Sequence, residues 1–116
     1  MNILILTWWP FDDALVQAYT LPYVRIIRKI AGPNGSVRLI TLEKNCREGE
    51  EHMIDGGIIN IRLNYTSLGP KGVIAWRKKL RLLHRIIDKN QISHLHSWCA
   101  LAGGIGYLLS KRTGLP

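Results

Sequence analysis

Ile3-Leu4-Ile5-Leu6 is an unbroken apolar run rather than an alternating one. A half-buried strand alternates apolar and polar side chains. A run apolar on both faces fits a strand covered above and below, as in the interior of a parallel sheet. Parallel neighbours require a crossover of a dozen residues or more, most often a helix. The rest of the chain alternates on that scale. A helix is predicted from about Ala14 to Ile30, with exit at Gly32-Pro33, and Asp12 or Asp13 is placed to cap it. Pro22 lies inside it and removes the bond to the Ala18 carbonyl, so a kink or break is expected there. Val37–Leu42 reads as a second strand, Glu43–His52 as a polar surface loop, and Ile58–Leu63 after Gly56-Gly57 as a third strand. Asn64–Gly72 reads as a loop around Gly69-Pro70. A basic helix follows over Lys71–Lys89, then a fourth strand over Ile92–His96. The last predicted helix is Leu101–Thr113, entered through Ala102-Gly103-Gly104 and closed by Gly114.

The order β-α-β-β-α-β-α predicts an α/β fold: a Rossmann-like, open, mainly parallel sheet with helices on both faces. Leu42 to Ile58 is read as an irregular parallel crossover or a hairpin. With 116 residues the chain is one domain or less, and Thr113-Gly114-Leu115-Pro116 is a helix exit of the kind that leads into a further strand. The expectation is therefore a sheet incomplete at its C-terminal end, prone to self-association through an open edge. No stretch approaches the roughly 18–20 apolar residues of a membrane span. Met1–Leu6 has no basic leader and is too short for a signal peptide, so cytoplasmic residence is expected. Only Cys46 and Cys99 occur, without a Cys-x-x-Cys pattern, which argues against a disulfide framework.

The net charge of +8 is concentrated. Lys71, Arg77, Lys78, Lys79, Arg81, Arg85 and Lys89 face one acid, Asp88, within Lys71–Asn90, whereas Glu43–Asp55 is acidic. Val73, Trp76, Leu80, Leu83 and Ile87 form one apolar stripe on the basic helix, and Ile74, Leu82 and Ile86 fall outside it. A purely solvated face does not need those three, and a helix lying on an anionic bilayer uses them, with Arg77, Lys78, Arg81, Arg85 and Lys89 reaching headgroup phosphates; the alternative is an amphipathic helix whose basic face is simply solvated.

In open α/β sheets ligands gather at the carboxyl ends of the strands, near the switch in strand order. Trp8-Trp9-Pro10-Phe11 lies at the first such end, where aromatic faces stack on sugars, bases or lipids, unless a ring instead plugs the core. Asp12 is placed to accept a hydroxyl hydrogen bond or to cap the helix. His94 and His96 share one strand face, with Cys99 nearby, but the spacing fits no familiar zinc site and no metal is expected. His94 reads as a core or interlayer residue and His96, at the strand exit, as the better-placed ligand contact. Ala102-Gly103-Gly104-Ile105-Gly106 follows the wrong strand for a dinucleotide fingerprint and reads as small residues admitting a helix close to the sheet.

Met1-Asn2-Ile3-Leu4-Ile5-Leu6-Thr7 with the long helix Asp13–Ile30 resembles the N-terminal half-domain of GT-B glycosyltransferases, of the group 1 or family four type. So does Ile92-Ser93-His94-Leu95-His96-Ser97-Trp98, followed by Ala102-Gly103 and the exit Leu108–Pro116. The resemblance implies an acceptor-binding N-terminal domain facing a second domain that holds the nucleotide-sugar donor as co-substrate, with no metal. The acceptor is a glycan or lipid-linked sugar in polysaccharide or glycolipid synthesis. Peripheral members sit on the membrane through a basic amphipathic helix, which matches Lys71–Lys89 in kind. By position the resemblance places Trp8–Asp13 at the cleft and His96, Ser97 and Trp98 on the acceptor side. Acceptor contact is expected from Trp8, Trp9, Phe11, Asp12, His96 and Trp98. The sequence departs from the family where Trp8, Trp9 and Pro10 replace a Gly-Gly pair. The strand bearing the family's catalytic histidine and the donor domain are absent, so residues 1–116 alone are expected to be inactive. The competing expectation is a non-enzymatic basic α/β module on an anionic membrane or nucleic acid, and the transferase reading expects no nucleic acid.

Overall fold

The apolar run at the N-terminus becomes the second-last strand of a five-stranded sheet, with a parallel neighbour on each side. The computed structural model describes residues 1–54, 56–66 and 70–116. Asp55 of the acidic stretch, residues 67–69 of the predicted Asn64–Gly72 loop and the Lys71 side chain lie outside the described residues. The strands are β1 Asn2–Leu6, β2 Ser36–Glu43, β3 Glu50–Ile54, β4 Ile58–Asn64 and β5 His94–Ser97. Their order across the sheet is β3-β4-β2-β1-β5. β1 is parallel to both β2 and β5, β2 is parallel to β4, and β3 is antiparallel to β4. The fold is α/β with a Rossmann-like open sheet.

The step from β2 to β4 resolves both expectations. The two strands run parallel, and the connection carries β3, which lies outside β4 and returns through Gly56 and Gly57. Both glycines have φ near +80°, a region that side-chain-bearing residues rarely adopt. β3 corrects the loop expected over Glu43–His52. It is an edge strand whose Glu51, His52 and Met53 face water, so it carries no apolar pattern.

Helix α1, Leu21–Ala31, is preceded without a gap by a π-helical turn, Val16–Thr20. Asp13 caps the start, its carboxylate accepting the Leu15 N–H at 2.9 Å. The break expected at Pro22 takes the form of the π turn. Leu21 N–H reaches back to the Val16 carbonyl, and Pro22 then starts a fresh helix where its missing N–H costs nothing. α2 is Val73–Lys89, after a 3-10 turn Pro70–Gly72, and α3 is Ala100–Thr113, closed by Gly114 with φ +76°. α3 therefore contains Gly103 and Gly104 rather than starting from them. Added β-carbons at these two would meet nothing, whereas one on Gly106 would collide with the Ser97 hydroxyl. Gly106 is where the helix touches the sheet.

Successive strand residues face opposite layers. Leu4, Leu6, Ile40, Leu42, Ile61 and Leu63 form one core with α2 and α3. Ile3, Ile5, Val37, Leu39 and Ile58 form the other with α1. On the open side of β5, the Pro116 carbonyl accepts the Leu95 N–H at 3.0 Å.

Candidate functional site

The parallel strands end together, and the reversal of strand order falls at β1, between β2 and β5. Loops from β1 and β5 flank this point: Thr7–Asp13 on one side and Trp98–Cys99 on the other. They are joined where Trp98 N–H donates to the Leu6 carbonyl at 2.9 Å.

The first loop is tied down from below. Thr7 Oγ1 donates to the Ile40 carbonyl at 2.8 Å, and Leu42 N–H donates to the Trp9 carbonyl. Phe11 N–H donates to Glu43 Oε2 at 3.0 Å, and Gln17 Nε2 donates to the Phe11 carbonyl. Beneath Phe11, on the α1 face, lies a buried polar row. Asn60, fully buried, donates to the Leu39 carbonyl and to Thr41 Oγ1, and its own Oδ1 accepts Arg62 Nε at 2.9 Å. The Arg62 guanidinium carbon stands 5.4 Å from the Phe11 ring centroid, a cation–π arrangement. Arg62 thus holds the loop from below and Glu43 from the side.

The six expected acceptor contacts separate into distinct places. Trp8 turns to the α2 face. It stacks on Trp76 at 5.4 Å and 8°, and meets Tyr65 edge-on at 6.1 Å. It closes the end of that core, above a cavity of about 10 Å³ lined by Leu6, Thr7, Trp76 and Ala102, too small for any ligand beyond a water. Trp9 is half-buried in the loop, Phe11 sits over Arg62, and Asp12 is exposed while Asp13 does the capping. His96 and Trp98 lie together on the α1 face, ring centroids 6.0 Å apart, and the Tyr23 ring is 5.3 Å from that of Trp98. Trp98 Nε1 is buried and donates to no acceptor among the described residues. His94 is exposed on the same face, which corrects its reading as a core or interlayer residue. Sequence reasoning missed Tyr23, Arg62 and Tyr65. Tyr65, 53% exposed, follows the tip of β4, so the carboxyl-end rule applied to that strand would have found it.

Cys99 carries the turn from β5 into α3 with φ +73°, an unfavourable conformation for a residue with a side chain. Cys99 and Cys46 are free thiols. Burial pushes the Cys46 thiol up, reinforced by the carboxylates of Glu50, Glu48 and Glu43 and opposed by Arg62. On β3, the His52 ring bonds to Glu50 at 3.1 Å and holds that carboxyl below its ordinary range. Among the described residues no three His, Cys, Asp or Glu side chains gather as a metal site.

Arg77, Lys78, Arg81, Arg85 and Lys89 are all exposed on α2, and Lys78, Arg81, His84 and Arg85 line an open groove. The first turn of the helix exposes Val73 (49%) and Ile74 (68%). The apolar argument for a bilayer contact is corrected in part. Ile86 is buried and Leu82 packs against the core, so Ile74 alone of the three faces out. Lys79 is buried, its ammonium 2.7 Å from Glu48 Oε2. Among the described residues no helix is long and apolar enough to cross a membrane. Comparison with protein-family models, curated proteins and solved structures yields no match.

Proposed function

We propose that this chain is the acceptor-side domain of a GT-B type sugar transferase, working on a glycan or lipid-linked acceptor at the cytoplasmic face of a membrane. One observation carries the reading. At the reversal of strand order, where α/β sheets hold their ligands, the half-buried Trp98 ring lies beside Tyr23 and the exposed His96, its indole N–H buried without an acceptor among the described residues. An aromatic face beside an exposed polar side chain is the chemistry that holds a sugar ring: the face stacks on C–H groups and the imidazole of His96 meets a hydroxyl. The domain's contribution is orientation, setting an acceptor hydroxyl toward a nucleotide-sugar held by a partner domain. The exposed row Arg77, Lys78, Arg81, Arg85 and Lys89, headed by Val73 and Ile74, supports seating on anionic headgroups.

The test is an NMR titration of the indole N–H signals with a panel of methyl glycosides and short oligosaccharides. A sugar is expected to shift the Trp98 signal, and Trp98→Phe to abolish its binding with the fold retained. In parallel, vesicles containing phosphatidylglycerol are expected to sediment the chain, and those of phosphatidylcholine alone are not. A duplex DNA bound with affinity that falls steeply with salt, with no glycan response, overturns the proposal in favour of a basic nucleic-acid module.

A further inference from the structure

α3 has no polar side along most of its length. From Ala100 to Leu109 it carries no charged side chain. A helix that packs by one stripe is normally polar elsewhere, and one apolar all round is covered all round. Ala102, Gly106 and Leu109 are the stripe buried against the sheet. Leu101, Tyr107 and Leu108 are left 46%, 62% and 46% exposed. The two leucines belong to a row of Leu101, Ile105, Leu108 and Arg112, whose spacing aligns it on one side of the helix. That side is the one toward α2. Ile105 packs against the core that α2 shares, and Arg112 lines a hollow with His84 and Asp88 of α2. On α2 the row Ile74, Lys78, Arg81 and Arg85 has the same spacing, and all four are exposed. The outer surface of the α2–α3 layer therefore sets an apolar row beside a cationic one.

We infer that this surface inserts into an anionic bilayer, with α3 as the apolar anchor and α2 as the headgroup contact. The inference deepens the membrane contact proposed above and rests on it; there the apolar part is the first turn of α2 alone. Charge and apolar character together select the occupant. Nucleic acid would take the cations and leave Leu101, Tyr107 and Leu108 in water. A second copy would cover the leucines, but two-fold pairing of this layer would set one cationic row against another. An anionic bilayer meets both needs, with phosphates for the arginines and lysines and acyl chains for the leucines. Little opposes it, since Asp88 is the one acid on the two helices. Both helices start at the strand tips. Trp76 Nε1 donates to the Thr66 carbonyl just past β4, and α3 begins three residues after β5 ends. Val73, Ile74 and Leu101 lie in those first turns, so the strand-tip end enters deepest. The layer covers the sheet face opposite His96, Trp98 and Tyr23, so the sugar site and the bilayer contact share no residue.

The experiment is methyl NMR of the leucine-labelled 116-residue chain on bicelles containing phosphatidylglycerol and a lipid spin-labelled on its acyl chain. The label is expected to broaden the Leu101 and Leu108 signals and to leave sharp that of Leu15, 45% exposed in the segment leading into α1. In parallel, Leu101→Gln combined with Leu108→Gln is expected to weaken cosedimentation with phosphatidylglycerol vesicles about tenfold, with an unchanged circular dichroism spectrum. High salt is expected to release this double variant fully and the parent chain only in part. Vesicle binding with sharp Leu101 and Leu108 signals, or undiminished in the double variant, overturns the inference and leaves the α2 headgroup contact standing. Broadening of Leu15 in their place assigns the lipid face to α1 and also overturns it. No vesicle binding at any lipid composition overturns the inference together with the membrane contact it rests on, and duplex DNA bound in that case assigns the cations to nucleic acid.

Discussion

Removing the Glu48 carboxylate tests how the basic helix is anchored. Lys79 is 5% exposed and Glu48 39%, with 2.7 Å between ammonium and carboxylate. At an effective dielectric constant of about 20, opposite charges at that distance attract by about 6 kcal/mol. Most of this is offset by the several kcal/mol needed to bring an ammonium out of water. The pair is therefore worth little in net terms, but halving it leaves a buried charge without its counterpart. Glu48→Ala also removes the acceptor of the Asn64 N–H, bonded to Glu48 Oε1 at 2.9 Å. Full loss of a buried partner costs about 3–5 kcal/mol. Because Glu48 is partly exposed and the lysine chain has room to swing outward, the expected cost is about 2 kcal/mol. Lys79→Met removes the charge that needed desolvation, fills the same space, and is expected within about 1 kcal/mol of the parent in either direction. In the double variant the cost of Glu48→Ala falls to about 1 kcal/mol, the loss of the Asn64 bond alone. Urea unfolding followed by circular dichroism, with equal slopes across the four proteins, reads these differences directly. A Glu48→Ala cost below about 0.5 kcal/mol, with Lys79→Met costing more than about 2, would refute the reasoning: Lys79 would then act through its packing and not through its charge.

Cys99→Gly relieves the positive φ at the start of α3, and after the entropy that glycine adds to the unfolded chain a gain of about 1 kcal/mol is expected. Thermal melting reads it as a rise of several degrees, and no rise would show the turn to be unstrained. Cys46, with its raised thiol, is expected to be alkylated by iodoacetamide more slowly than the exposed Cys99 at neutral pH, and to catch up only as pH rises, since the thiolate is the reactive form. Peptide mass mapping of a time course distinguishes the two, and a faster Cys46 would contradict its placement among carboxylates.

The parts of the fold legible in the sequence are those with both faces covered. β1, β2 and β4 are apolar because two layers of helix bury them, and burial leaves a mark that composition displays. β3 leaves none: at the edge, its side chains satisfy water. Lys79 was one cation among seven until the loop carrying Glu48 folded over it, a contact between residues 31 apart that no local pattern encodes. Ile86 lay outside the single stripe drawn on α2. The helix rests on the sheet and beside α3, and two neighbours bury a wider arc than one. The strand tips were legible as a site because topology alone dictates them, but the face each side chain takes was not. Trp8 falls in step with Leu6 and turns toward α2, whereas Trp98 falls in step with His96 and turns toward α1. A shift of one residue in either turn would have reversed the assignment.

The position of β1 has a consequence for biosynthesis. It is made before the other four strands, yet one of its two neighbours follows much later: Asn2 bonds to Ser93, 91 residues on. At about 5–20 residues per second, that flank of the nascent chain stays bare for roughly 5–20 seconds. During this interval the most apolar strand offers a free parallel edge, and a trigger of misassembly on crowded polysomes is built into the order in which the message is read.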